Sequence, residues 1–196
     1  MAVLHVYDFD GVLADSLDDL IYRLPALEEE EVVLAKLSNA LSWDLDGMDQ
    51  SSQRILLFQA AATILNIPIE PGPLLEHCRA SAGMTPWFVL TARTGWHGTG
   101  RVRAFLEMHD LQPLEIFSVG RVRKNDQLLH LHEEFPNHRI VYFKDSRRHL
   151  SDASSLEIAN IEVVPVDRKE APQDAEALYA YTRDVMERAI GAISEG

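Results

Sequence analysis

Residues 3–16 read Val3-Leu4-His5-Val6-Tyr7-Asp8-Phe9-Asp10-Gly11-Val12-Leu13-Ala14-Asp15-Ser16. The first five are apolar and rich in β-branched and aromatic side chains, as suits a strand buried on both faces of a parallel sheet. Two carboxylates then follow at i and i+2. At the carboxyl end of a buried strand such a pair is costly to hold together without a cation beside it, and a bound divalent metal ion would relieve the repulsion.

Working outward, four more runs share the character of the first: Trp87-Phe88-Val89-Leu90, Leu114-Glu115-Ile116-Phe117, Arg139-Ile140-Val141-Tyr142-Phe143 and Ile161-Glu162-Val163-Val164-Pro165-Val166. Between them lie helical segments, among them Arg101 to His109, with Val102, Phe105, Leu106 and Leu111 at helix-face spacing, and Asn125 to Phe135. Strand, helix, strand in repetition implies right-handed crossovers and an α/β fold with a doubly wound, Rossmann-like parallel sheet. Functional residues of such a sheet belong at the carboxyl ends of its strands.

One connection is oversized. Roughly seventy residues separate the first strand from the second, where a crossover needs about a dozen. Ser16-Leu17-Asp18-Asp19 has the form of a capping box and Pro25 should end the helix it opens. Glu28 to Glu31 place negative charge in the first turn of a second helix running to about Ser42. Ser51-Ser52 could cap a third, with Ile55, Phe58, Ala62 and Leu65 inward, and Pro71-Gly72-Pro73 marks the return. The expected organisation is a core of residues 1–16 and 87–196 with a small helical cap, residues 17–86, inserted after the first strand. Residues 171–193 form a last amphipathic helix, either packed on the sheet or used as a homodimer contact.

The chain has 196 residues, 18 basic and 31 acidic, for a formal charge of −13. That excess of carboxylates repels polyanions, which argues against nucleic acid and anionic membranes as partners and favours a small substrate. The segment 17–86 carries 4 basic and 11 acidic residues, a balance of −7 opposite in sign to a nucleic-acid groove. One cysteine, Cys78, permits no intrachain disulfide. No apolar run reaches the ~18 residues of a membrane span, so the expected location is cytoplasmic.

The stretch Asp8-Phe9-Asp10-Gly11-Val12 resembles the first signature of the haloacid dehalogenase superfamily. Three further stretches, in order at strand ends, resemble the other signatures: Leu90-Thr91-Ala92-Arg93, Lys124 in Arg123-Lys124-Asn125-Asp126, and Lys144-Asp145-Ser146. The resemblance runs from residue 4 to about 152 and thins over the cap. It implies a magnesium-dependent phosphatase in which Asp8 attacks phosphorus and Asp10 acts as acid and then base. Thr91, Ala92, Arg93 and Lys124 would bind phosphate and substrate, and Asp8, Asp145 and a carbonyl at Asp10 would hold Mg2+. Taken singly, each stretch has a bland reading as a turn, a loop, a surface lysine or a helix cap. Their joint placement carries the assignment.

The fourth signature departs from the family pattern, with Lys144 where a small residue is usual and His149 where a second acid is usual; Asp152 is a reserve ligand. Magnesium prefers oxygen, so His149 does not substitute comfortably. This arrangement is also similar to phosphatase-like domains associated with RNA repair, which would act on RNA or DNA ends. The expected reaction is hydrolysis of a small phosphomonoester, a nucleotide or sugar phosphate, through an aspartyl-phosphate. The rival readings are a phosphomutase with the same aspartates, a dehalogenase, which Asp10 argues against, and a non-catalytic binding protein on the same scaffold.

Overall fold

The computed structural model describes residues 1–119, 124–145, 160–167 and 174–195. Five strands form one parallel sheet: β1 (Ala2–Asp8), β4 (Trp87–Thr91), β5 (Ile116–Ser118), β6 (His138–Asp145) and β7 (Ile161–Val166). Their spatial order is β5-β4-β1-β6-β7, so the chain winds outward from β1 in both directions. Every one of the five apolar runs has become a strand, and the doubly wound sheet expected from the sequence is present. Two further strands, β2 (Ala14–Asp15) and β3 (Glu70–Pro71), make a small antiparallel pair.

Helices cover both sheet faces, which is why the strands lack polar alternation. On one face Tyr7, Phe9, Val89, Val141 and Phe143 pack against Leu75 and Cys78 of α4 (Leu75–Ser81) and Val102, Phe105 and Leu106 of α5 (Gly95–Met108). On the other, Leu4, Val6, Phe88, Leu90, Ile140 and Tyr142 pack against Leu128 and Leu131 of α6 (Lys124–Glu134). A polar network crosses the first face: the Tyr7 hydroxyl meets Nδ1 of His5 at 3.2 Å, Nδ1 of His77 at 3.0 Å and Oγ of Ser81 at 3.2 Å.

The chain divides into two units, one of residues 1–16 and 69–169, the other of residues 17–68 and 170–196. This differs from the expected organisation in two places. Residues 69–86 belong with the sheet, because their backbone is bonded to the loop after β1: Gly72 N–H donates to Leu13 O at 2.8 Å and Leu74 N–H to Val12 O at 2.9 Å. A Cβ on Gly72 would lie 2.5 Å from Val12 O, so that approach requires glycine. The last helix, here α7 (Ala175–Glu195), groups with the helical unit, whereas the expected organisation had it in the core. Its Val185, Met186 and Ala189 join Ile21, Leu34, Leu37, Leu57 and Phe58 in a separate core.

That second core is built by α1 (Asp18–Arg23), a 3₁₀ turn (Glu28–Glu30), α2 (Glu31–Ala40) and α3 (Gln50–Ile64), besides α7. Two caps differ from expectation. Ser16 does not cap α1, whose N-cap is Leu17 without a side-chain bond, because its hydroxyl donates to Asp10. Asp49, not Ser51 or Ser52, caps α3 by accepting from Ser52 N–H at 3.0 Å. Arg54 of α3 is fully buried and spends all five N–H bonds: on Glu30 Oε1 at 2.9 Å and Oε2 at 2.6 Å, and on the carbonyls of Ile21, Leu24 and Pro25. No helix among the described residues is long and apolar enough to cross a membrane.

Candidate functional site

Asp8 closes β1, Thr91 closes β4 and Asp145 closes β6, so three side chains stand at the carboxyl ends of three parallel strands. The loop after β1 is folded on itself: Leu13 and Ala14 N–H donate to Phe9 O at 3.1 and 3.0 Å, and Gly11 N–H to Ala14 O at 2.8 Å. Gly11 has φ 79°, a conformation that glycine adopts without steric cost. A Cβ there would lie 2.7 Å from Oδ2 of Asp145. The missing side chain thus lets Asp145 come against the loop that carries Asp10.

Asp8 is buried and held at one oxygen. Its Oδ1 accepts from Phe9 N–H at 2.9 Å and is paired with Nζ of Lys124 at 2.6 Å. Lys124 is the first residue of α6, so helix geometry fixes its reach. Burial pushes the Asp8 carboxyl up; the charge and hydrogen bond of Lys124 oppose that, and Asp10 adds to it. Asp10 behaves differently. Burial also acts to raise its carboxyl, but the Arg93 guanidinium beside it, with the Ser16 hydroxyl, holds it below the usual carboxylate value. Arg93 forks onto Asp10, with Nε 3.2 Å from both oxygens and one terminal nitrogen 2.8 Å from Oδ1.

Arg93 is itself buried, its guanidinium 5.3 Å from the centre of the Phe9 ring. Its backbone is fixed as well: Arg93 N–H donates to Thr91 Oγ1 at 3.1 Å, and Ser118 Oγ donates to Arg93 O. Thr91 Oγ1 therefore accepts from its own loop and keeps its proton for another acceptor. The structure thus joins Asp8 to Lys124, Asp10 to Arg93, and Asp145 to the Asp10 loop. Arg93, expected as a substrate-binding residue, points its guanidinium at Asp10. Ala92 is half-buried beside Thr91 with only backbone to offer. Arg121, Arg123, Ser146, Arg147, Arg148, His149 and Asp152 lie outside the described residues.

Sequence reasoning missed two partners of Asp10. Ser16 reads as a helix cap although it stands six residues from Asp10 across a tight loop, and the Arg93–Asp10 pairing spans two strand ends and leaves no local spacing to read. The donors available to a magnesium ion are of the right kind, two carboxylates from Asp8 and Asp145 with the Asp10 carbonyl as a third oxygen. Among the described residues no three or more His, Cys, Asp or Glu side chains come together as a group that could hold a metal ion. Two carboxylates leave room for the waters that magnesium keeps, and Oδ2 of Asp145 stands against Gly11 in the loop that follows Asp8.

No family model and no curated protein matches the sequence. Solved structures match its fold. A protein described as a haloacid dehalogenase-like hydrolase, from Burkholderia xenovorans, has a TM-score of 0.54 at 14% identity, over 86% of this chain and 83% of that one. A haloacid dehalogenase-like family hydrolase from Xanthomonas campestris aligns over 96% and 97% with a TM-score of 0.49 and 15% identity. A haloacid dehalogenase-like protein from Agrobacterium tumefaciens aligns over 84% and 82% with a TM-score of 0.49 and 20% identity. The chain has the fold of the haloacid dehalogenase-like hydrolases, in agreement with the resemblance read from its four strand-end stretches.

Proposed function

We propose that the chain is a phosphatase that hydrolyses a small phosphomonoester, a nucleotide or sugar phosphate, through a phosphorylated Asp8. The observation that carries this reading is the pairing of Asp8 with Lys124 at 2.6 Å, two residues before an Asp10 whose carboxylate is separately clamped. Lys124 favours the ionised Asp8 that attack requires, and Arg93 favours the Asp10 carboxylate that activation of water requires. Asp8, fixed by Phe9 N–H, presents an oxygen to phosphorus; the new O–P bond forms as the ester O–P bond breaks. Lys124 and the Thr91 hydroxyl neutralise phosphate oxygens where charge gathers.

Asp10 serves both halves of the cycle. At rest it is a carboxylate, ready to take a proton from the water that cleaves the phosphorylated aspartate. An arriving phosphate dianion opposes the Arg93 field and raises the affinity of Asp10 for the proton it gives the leaving oxygen. A magnesium ion held by Asp8, Asp145 and the Asp10 carbonyl would offset the repulsion between nucleophile and phosphate. The acidic balance of residues 17–86 supports a small substrate over a polynucleotide end. A phosphate-release screen across small phosphomonoesters, with and without magnesium, tests the proposal. Magnesium-dependent release that stops in Asp8→Asn is expected; no release from any ester in magnesium would refute it.

A further inference from the structure

Tyr142 is the odd member of the core on the α6 side of the sheet. It is 1% exposed, and among the described residues its hydroxyl has no hydrogen-bond partner. Its neighbours in that core are Leu4, Val6, Phe88, Leu90, Leu128, Leu131 and Ile140, none of which offers a side-chain acceptor. A buried hydroxyl left unbonded destabilises a fold, and phenylalanine would fill the same space without that cost. The oxygen therefore calls for a use.

Its place in the sheet points to one. Tyr142 on β6 is the register partner of Val6 on β1, and both side chains face α6. Side chains alternate along a strand, so Asp8, two residues past Val6, emerges on that same face one pleat further on. From the helix side, Lys124 sits one turn before Leu128, which packs in the core with Tyr142. The phenol thus lies in the layer beneath the Asp8–Lys124 pair. Burial, followed by the charge of Asp8, pushes its ionisation well above the ordinary tyrosine value, so it stays a donor at any working pH.

Resting on the phosphatase reading above, we propose that Tyr142 is a positioning residue whose hydroxyl takes over as donor to Asp8 when Lys124 turns to the substrate phosphate. In the structure Asp8 Oδ1 is held by Lys124 and Phe9 N–H together. A phosphate dianion draws the ammonium away and leaves Asp8 with one hydrogen bond, that from Phe9 N–H. A second donor from below keeps the carboxylate aimed at phosphorus.

The test is Tyr142→Phe, which removes one oxygen and keeps the ring. The expected result is a fall in kcat of about tenfold, the weight of one hydrogen bond to a charged group, with KM nearly unchanged and a melting temperature equal to or above wild type. Unchanged kcat would overturn the proposal, whether the melting temperature rises, as for an idle hydroxyl, or falls, as for a purely structural one. Should the phenylalanine variant not fold, Tyr142→Met is read by the same criteria. If wild type itself releases no phosphate, this proposal falls with the phosphatase reading; an active wild type matched by an equally active variant removes only the role of Tyr142.

Discussion

Both units of this chain bury charge, and they do so in opposite ways. In the helical unit Arg54 is enclosed with every N–H bonded, two to Glu30 and three to carbonyls at the end of α1. Such a saturated group has nothing left to offer a ligand and reads as architecture. At the strand ends of the sheet unit the buried charges are paired but unequal: Asp8 is pushed up by burial while Arg93 holds Asp10 down. Burial of charge by itself does not mark a site. What marks it is a set of groups whose surroundings drive them apart and whose remaining valences face one loop.

Substitutions can break that contrast. The largest expected effect is from Asp8→Asn, an isosteric amide and a poor nucleophile: phosphate release should fall by about 10³-fold or more with the melting temperature nearly unchanged. Retention of a tenth of the activity would remove Asp8 from the mechanism. Next comes Arg54→Ala, which strands Glu30 and three carbonyls; denaturant unfolding should show a loss of about 3–5 kcal/mol. A loss under about 1 kcal/mol would mean that the network does not hold the helical unit.

Gly11→Ala addresses the approach of Asp145. It strains a φ of 79° and pushes a methyl group at Oδ2, so the magnesium concentration for half-maximal activity should rise about tenfold. An unchanged midpoint would show that Asp145 is not a ligand. The smallest effect concerns His5, lowered from 6.5 by burial and then by His77, in a network with the Tyr7 and Ser81 hydroxyls. Because the unfolded chain takes up this proton first, stability is full above pH 6.5 and declines as pH falls below it. A melting-temperature series from about pH 5 to 8 should show that decline in wild type and a shallower one in His5→Asn.

Much of the fold was legible because the sheet is buried on both faces: five apolar runs such as Val3 to Tyr7 cannot be mistaken for surface. Asp8, Thr91, Lys124 and Asp145 were legible for the same reason, each falling where a strand stops or a helix starts. What escaped was set by tertiary contact. Residues 69–86 belong with the sheet because Gly72 allows backbone contact with residues 12–14, and α7 belongs to the helical unit because its apolar stripe packs with that unit's own helices. Nothing in the spacing around Arg54 marks it for burial, and the Arg93–Asp10 pair has no sequence period.

Covalent attack by Asp8, relieved by Asp10, is open to a direct test. Asp10→Asn removes the base that activates the attacking water and leaves Asp8 in place. Rapid acid quench of that variant with magnesium and a hydrolysable phosphomonoester, followed by peptide mass analysis, reads the claim directly. One phosphoryl group on the peptide containing Asp8 is the expected result. Phosphate release by Asp10→Asn at the wild-type rate, or a quenched protein with no phosphoryl group on Asp8, would contradict it.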